Sequence, residues 1–243
     1  MALPKLDTPI YTVVIPSTKQ SLEIRPFLVK EEKILLMALQ GGDAEDMTRA
    51  TKQIINNCIV TPNFDIDTLE MYDVEYILLQ LRINSIGETS KIKFLAREGS
   101  DCPECSKERI VEIDLRNAKI LYDDKHTKKV QLTPTVGLIM KYPNVKMLDS
   151  LEQARTSKSV DELFKIIWGC VETVFDSDKL NKASEVPIEE GVAFLESLSS
   201  QQFAQIEVFF ATMPKLKQVI HINCGGCLFS QDYTLEGLEA FFG

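Results

Sequence analysis

The chain has 243 residues, 44 % hydrophobic and 26 % charged, with a net charge of −9 and a pI near 4.9. That length suits one elaborate domain or two small ones, and no apolar run is long enough to span a bilayer. The acidic balance argues against a nucleic-acid partner, because phosphate binding needs a basic surface.

The opening segment, Met1-Ala-Leu-Pro-Lys-Leu-Asp7, has neither the basic stretch nor the apolar core of a signal peptide, so a reducing, cytosolic setting is expected. Ile10 to Pro16 reads as a strand, Ser17 to Gln20 as a turn, and Ser21 to Arg25 as a half-buried returning strand ended by Pro26. A helix is expected from Val29 to Leu39, with Ile34, Leu35, Met37, Ala38 and Leu39 on a wide apolar face and Gly41-Gly42 as its stop. Asp43 is placed to cap a second helix to about Ile59, with Met47, Ala50, Ile54, Ile55 and Cys58 inward. Asp67 with Glu70 predicts a capping box for a third helix, running through Leu69, Tyr72, Val74, Tyr76, Ile77, Leu79, Leu81 and Ile83 to Gly87. So many apolar positions predict cover on more than one side.

Residues 90–142 change character. Lys91 to Arg97, Arg109 to Leu115, Lys129 to Leu132 and Val136 to Tyr142 are expected strands, and Lys125 to Lys129 a solvated hairpin loop. From Val145 the pattern turns helical: a short helix to Ala154, then one capped by Ser159 with Glu162 and running through Leu163, Phe164, Ile167, Trp168, Val171 and Val174. Asp176 to Val186 reads as polar loop. Pro187 opens a helix through Val192, Phe194 and Leu195, and Ser199 with Gln202 caps another through Phe203, Ile206, Phe209 and Phe210 to Thr212. Pro214 ends it. Leu216 to Ile222 should be a strand, Leu228 to Gln231 its return, and Thr234 the cap of a terminal helix ending in Phe241-Phe242. The expected fold is α+β: a mainly helical body with an N-terminal β-hairpin (1–89), a β-rich insertion (90–142), and a C-terminal helical part (143–243).

Two Cys-x-x-Cys pairs carry the chemistry, Cys102-Pro-Glu-Cys105 and Cys224-Gly-Gly-Cys227. Two intervening residues let one tight turn aim both sulfurs at a point; Pro103 suits the start of such a turn, and Gly225 and Gly226 permit backbone angles a side chain would oppose. Together the pairs supply the four ligands of a tetrahedral Cys₄ site, a split zinc ribbon whose halves stand 118 residues apart. Rubredoxin-like iron, separate sites and unmetallated thiols are the other readings of the same four residues. A disulfide conflicts with a reducing setting, and a thioredoxin-like motif needs a helix after the cysteines where this chain has the strand-like Ile110 to Leu115. Four thiolates on Zn²⁺ leave a formal charge of −2 that Lys107, Arg109, Lys215 and Lys217 are near enough in sequence to offset. A closed Cys₄ site has no open coordination position, so structural Zn²⁺ predicts stability rather than catalysis.

Elsewhere the signals for chemistry are sparse. His221 reads as a packing residue or a contact to the ligands, with direct ligation the alternative. Cys58 and Cys170 sit in helix-like apolar patterns and read as core. The sequence has no P-loop, no Gly-x-Gly-x-x-Gly and no His-Glu-x-x-His, and two histidines are too few for a confident Ser-His-Asp set, so no enzyme is expected. Five of the twelve phenylalanines fall between Phe203 and Phe210 or at Phe241-Phe242, to pack a core or to meet another protein.

Tyr11-Thr-Val-Val-Ile-Pro-Ser17, followed by Leu22-Glu-Ile-Arg-Pro-Phe-Leu-Val-Lys-Glu-Glu-Lys33, resembles the T4-type phage baseplate hub proteins. The helix from Asp67 to Ser85 and the Cys102-Pro-Glu-Cys105 hairpin are similar too, over most of the first 115 residues and more loosely through the C-terminal helices and Cys224-Gly-Gly-Cys227. The resemblance implies a non-enzymatic role as a hub subunit or hub assembly protein, akin to tail assembly chaperones. The implied partners are hub and tape-measure proteins, with no nucleic acid and no membrane. The implied location is the host cytoplasm during assembly or the virion tail baseplate. A zinc-ribbon adaptor regulating transcription or another host machine is the alternative from a different class, and a thiol oxidoreductase a third.

Overall fold

The computed structural model describes residues 7–41, 44–95, 102, 104–147, 159–237 and 241. Outside the described residues lie the Gly42 stop, the Asp43 cap, Pro103, residues 148–154 of the helix expected from Val145, and Phe242; so do the side chains of Leu35, Leu39 and Met47.

Alternation of apolar and polar residues builds the first hairpin as expected. β1 (Tyr11–Val14) pairs antiparallel with β2 (Ser21–Ile24), burying Val13, Leu22 and Ile24 while their neighbours face out. Its turn is fastened from afar: the buried Asp73 carboxylate accepts from the Ser17 N–H (2.9 Å) and hydroxyl (2.6 Å). α1 (Val29–Gly41) and α2 (Ala44–Cys58) follow. Where α1 begins, Arg25 forms a two-point pair with Glu31 (2.9 and 3.3 Å), and Glu31 also accepts from the Leu28 N–H (2.9 Å). The Glu31 side chain is fully buried. Burial pushes its pKa up, but the hydrogen bonds from Arg25 and Leu28 outweigh that and hold it below the ordinary carboxylate range. Met37, expected inward, is exposed, and Ala38 is the buried residue of that face.

α3 (Met71–Ser85) starts later than the capping-box signal suggested. Asp65 caps a 3₁₀ turn at Ile66–Thr68 that contains Asp67, so Glu70 becomes the cap of α3 and its N–H is taken by Asp73 (3.2 Å). Val74, Ile77, Leu78 and Leu81 pack into a first core with the hairpin and α2, while Leu79 belongs to another core. The helix is indeed covered on two sides.

β3 (Thr89–Leu95) and β4 (Glu108–Asp114) form a hairpin, and β5 (Lys119–Leu121) follows a short 3₁₀ turn. A second core gathers on a four-stranded antiparallel sheet of β6 (Lys129–Gln131), β7 (Gly137–Met140), β8 (Val171–Phe175) and β9 (Leu180–Lys182). Packed on it are α4 (Val160–Gly169), α5 (Ile188–Glu196) and α6 (Ser200–Thr212). The predicted caps of α4 and α6 form: Ser159 accepts from Glu162 N–H (3.3 Å), and Ser199 and Gln202 bond reciprocally. Pro187 caps α5. β10 (Lys215–Asn223) then lies between β5 and β11 (Ser230–Glu236).

The expectation of a mainly helical body is overturned. Among the described residues eleven strands in four antiparallel sheets stand beside six α-helices, and strands occupy all three parts of the chain. The helix predicted through Val174 stops at Gly169, and Val171-Glu-Thr-Val-Phe175 is a strand paired with β7. Three β-branched residues and a glycine decide against helix there, although Phe164, Ile167, Trp168, Val171 and Val174 keep helical spacing. The supposed polar loop at 176–186 contains β9 and a 3₁₀ turn. Thr234 caps nothing; it sits in β11 opposite Val219. The third core, between α3, β4 and β10, includes Leu79, Ile113, Leu115, Leu216, Ile220, Ile222 and Phe241.

Candidate metal centre

Both knuckles are tips of hairpins. In the first, at the loop end of β3–β4, the Cys102 carbonyl accepts from the N–H groups of Cys105 (3.1 Å) and Ser106 (3.2 Å), which curls the backbone around the sulfurs. In the second, at the end of β10–β11, the Cys224 N–H donates to the Phe229 carbonyl (2.8 Å) and the Gly226 N–H points at Cys224 Sγ (3.4 Å). The third core presses β4 and β10 together, so the two tips meet.

They meet at a distance a metal can use. Cys102 Sγ lies 3.8 Å from Cys224 Sγ, Cys105 Sγ lies 3.5 Å from Cys227 Sγ, and all four sulfurs fall within 4.8 Å of one another. Sulfurs at the corners of a tetrahedron around Zn²⁺ at about 2.3 Å would be about 3.8 Å apart. None of the six cysteines is in a disulfide. Among the described residues this is the one group of three or more His, Cys, Asp or Glu side chains that could hold a metal ion.

Gly226 sits close against the first knuckle: a Cβ there would stand 3.0 Å from Glu104 Cγ and 3.4 Å from Cys102 Sγ, so a side chain would press on the Glu104 side chain. The unusual backbone angles expected at Gly225 and Gly226 are absent: the described glycines with positive φ are Gly87 and Gly237.

The thiols are electrostatically unequal. The Gly226 N–H, and after it the Cys105 thiol, stabilise the Cys224 thiolate and bring its pKa down to about 6. Burial, followed by hydrogen bonds with the other three cysteines, pushes Cys105 up to about 12. A metal entering this set must expel the remaining protons, which ties occupancy to pH.

The expected counter-charges sort themselves out. Lys215 and Lys217 both pair with Glu236 (2.7 and 3.0 Å), away from the sulfurs. Arg109 spans the junction, its Nη1 donating to the carbonyl of Asn223 (3.3 Å), the residue before Cys224. Its Nε and Nη2 are buried with no partner among the described residues. His221 is not placed as a ligand. It is exposed, faces Asp232 across the β10–β11 pair, and bonds Asp232 Oδ1 through Nδ1 and Ser230 Oγ (3.1 Å) through Nε2. Cys58 and Cys170 are fully buried core residues, as expected, with burial raising their thiols to about 11 and about 12.

Sequence reasoning missed the setting of His126. Its ring stacks on Tyr142 (5.5 Å between centroids) and lies tilted against Phe209 (5.2 Å), Nδ1 bonds the Thr212 hydroxyl (2.9 Å), and Nε2 is buried without a partner among the described residues. Burial, and then Lys128, lower its pKa against the opposing pull of Asp123. Nothing in the charged run Lys125-His126-Thr127-Lys128-Lys129 signals an inward ring; the partners that hold it come from residues far along the chain. Of the five terminal phenylalanines, Phe209 and Phe241 are core residues, and Phe203 and Phe210 are partly buried against the second core.

A family described as T4 bacteriophage base plate protein matches residues 8–243, nearly the whole chain. No curated protein and no solved structure matches. No helix among the described residues is long and apolar enough to cross a membrane.

Proposed function

The chain belongs to the T4 bacteriophage base plate protein family, and from that premise we propose that it is a non-enzymatic hub-type subunit, acting in assembly of the baseplate hub by binding hub or tape-measure proteins. The observation that carries this reading is the extent of the family match, which runs from the first hairpin through both knuckles. Its site of action is then the phage tail, reached from the host cytoplasm where tails are built.

In this reading Cys102, Cys105, Cys224 and Cys227 hold one structural Zn²⁺. The ion would supply four closed coordination bonds and no reactive position. The residues themselves do the remaining work: Gly226 sits close against the first knuckle, its N–H favours the Cys224 thiolate, and Arg109 ties β4 to the backbone before Cys224. The sulfur geometry supports a tetrahedral metal without choosing between zinc and iron. A colourless protein carrying about one zinc per chain would decide for zinc, and a coloured, iron-bearing one against it.

The test of function is co-expression with the tape-measure and central hub proteins of the same phage, followed by pull-down and size-exclusion chromatography. Recovery of either at fixed stoichiometry is the expected result. A folded protein that captures neither, and whose loss leaves hubs assembling normally, would overturn the reading.

A further inference from the structure

The second core opens to solvent in a cleft of about 360 Å³ between α4, α5 and α6. Its floor is apolar: Phe164 and Phe203 stack at 5.4 Å between ring centroids, beside Leu195 and Leu198. Its rim is acidic, with Glu196 from the end of α5 and Glu207 from the middle of α6, both exposed. On the same helix α4, Val160 and Leu163 are also apolar and 64 % and 48 % exposed.

The stretch of chain that builds the cleft is strongly one-sided in charge, and the charged residues that line the cleft, Glu196 and Glu207, are both acidic. Residues 159–212 carry ten Asp and Glu against three Lys and no Arg, which accounts for most of the chain's net −9. Two of those lysines are already paired within the same stretch, Lys165 with Glu162 and Lys182 with Glu185. The surface therefore repels phosphate-bearing partners and anionic lipid, and attracts cations. The volume is at the small end for a binding pocket, room for one or two large side chains.

We propose that this cleft docks a basic amphipathic segment of another protein, with an apolar anchor on the Phe164–Phe203 floor and flanking Lys or Arg at Glu196 and Glu207. Anchor and charges do separate jobs: burial of the anchor gives affinity, while the acidic rim gives attraction at a distance and rejects acidic segments. The inference does not require the hub role or the metal, because the cleft is built from the second core alone.

The test uses the full-length protein and a fluorescein-labelled synthetic helix of about 15 Leu and Lys residues, read by anisotropy at low and high salt. Two further probes replace every Leu by Ser or every Lys by Glu. The protein variants are E196K/E207K and a remote control with the same charge change, E32K/E112K, all four positions being exposed. Saturable binding of the Leu/Lys peptide is expected, weakened about tenfold or more by E196K/E207K and much less by E32K/E112K, a difference of about 1.4 kcal/mol or more. Hydrogen exchange should slow in α4 and α6 when the peptide binds, which gives a readout free of any substitution. The proposal fails if both double variants lose affinity equally, if the Ser/Lys peptide binds as well as the Leu/Lys one, or if no peptide binds. Failure here leaves the hub reading intact, since hub capture is measured separately with the phage proteins.

Discussion

If Cys102, Cys105, Cys224 and Cys227 hold Zn²⁺ as proposed, removing the metal, or one of its ligands by Cys224→Ser, should cost far more than the loss of a surface contact. Cys102 and Cys224 are 122 positions apart, with their sulfurs at 3.8 Å. An unfolded chain that kept all four thiolates on one ion would have to close that loop, at an entropic cost of about 5 kcal/mol from the loop length. An unfolded chain holding the ion by one knuckle would instead forgo two thiolates. Either way the ion favours the folded state by several kcal/mol at saturation. For a chain of this size about 5 kcal/mol corresponds to a fall in Tm of roughly 10–20 °C. The assay is a thermal melt of untreated protein, chelator-treated protein and the Cys224→Ser variant, with metal content measured on each. Treated and substituted protein should lose metal and melt early, and re-addition of Zn²⁺ should restore the first but not the second. If all three melt within a degree or two of one another while metal content differs, the cross-link argument is wrong.

Arg25→Ala leaves the buried Glu31 carboxylate with the Leu28 N–H and the exposed Lys30 ammonium (3.5 Å) as its remaining partners and should destabilise by about 3 kcal/mol in urea unfolding, whereas Arg25→Met with Glu31→Met should cost clearly less; equal losses would show that the pair is not the cause. Gly191→Ala would put a methyl carbon 2.0 Å from Trp168 Cε2, so a loss of about 1–3 kcal/mol is expected despite the better helix former. Trp168 is the only tryptophan, so its emission should move with the Tm, and an unchanged spectrum would contradict the packing. Acid should weaken the fold through His126: its folded pKa lies below the ordinary value, so its contribution is full above about 6.5 and lost as pH falls below that. His221 has the opposite sign, its raised pKa giving stability at low pH that is lost as pH rises through the folded value. His126→Phe, with His221 kept, should therefore flatten the decline in Tm between neutral pH and pH of about 5, and an unaltered slope would remove His126 from the explanation.

The two halves of the cysteine cluster are legible because each signal is local. A knuckle needs two cysteines, a tight turn and a strand on either side, all within about 15 residues of sequence, and each half meets that description. That the halves meet depends on β4 and β10 sharing a core, which no local pattern records. The caps at Ser159 and Ser199 were legible for the same reason, since each is one hydrogen bond over three residues. Val171–Phe175 was not, because its apolar residues satisfy the helical period and the deciding pairing with Gly137–Met140 lies more than 30 positions away. Asp73 and Glu31 show the same limit: their burial is made tolerable by Ser17 and Arg25, partners chosen by the fold. The Arg-Pro-Phe step into the Val-Lys-Glu-Glu helix, a sequence signature at first, has a physical content in the Arg25–Glu31 pair.

The distance between the knuckles also sets a clock on synthesis. At about 5–20 residues per second, Cys102 and Cys105 leave the ribosome roughly 6–24 s before Cys224 follows. For that interval the first hairpin is an open thiol pair beside half a core, since Leu216, Ile220, Ile222 and Phe241 have yet to arrive. A chain cut short anywhere before Cys224 can neither bring its four thiols together nor seal that core. Only chains translated past both features can join the two knuckles and close the third core.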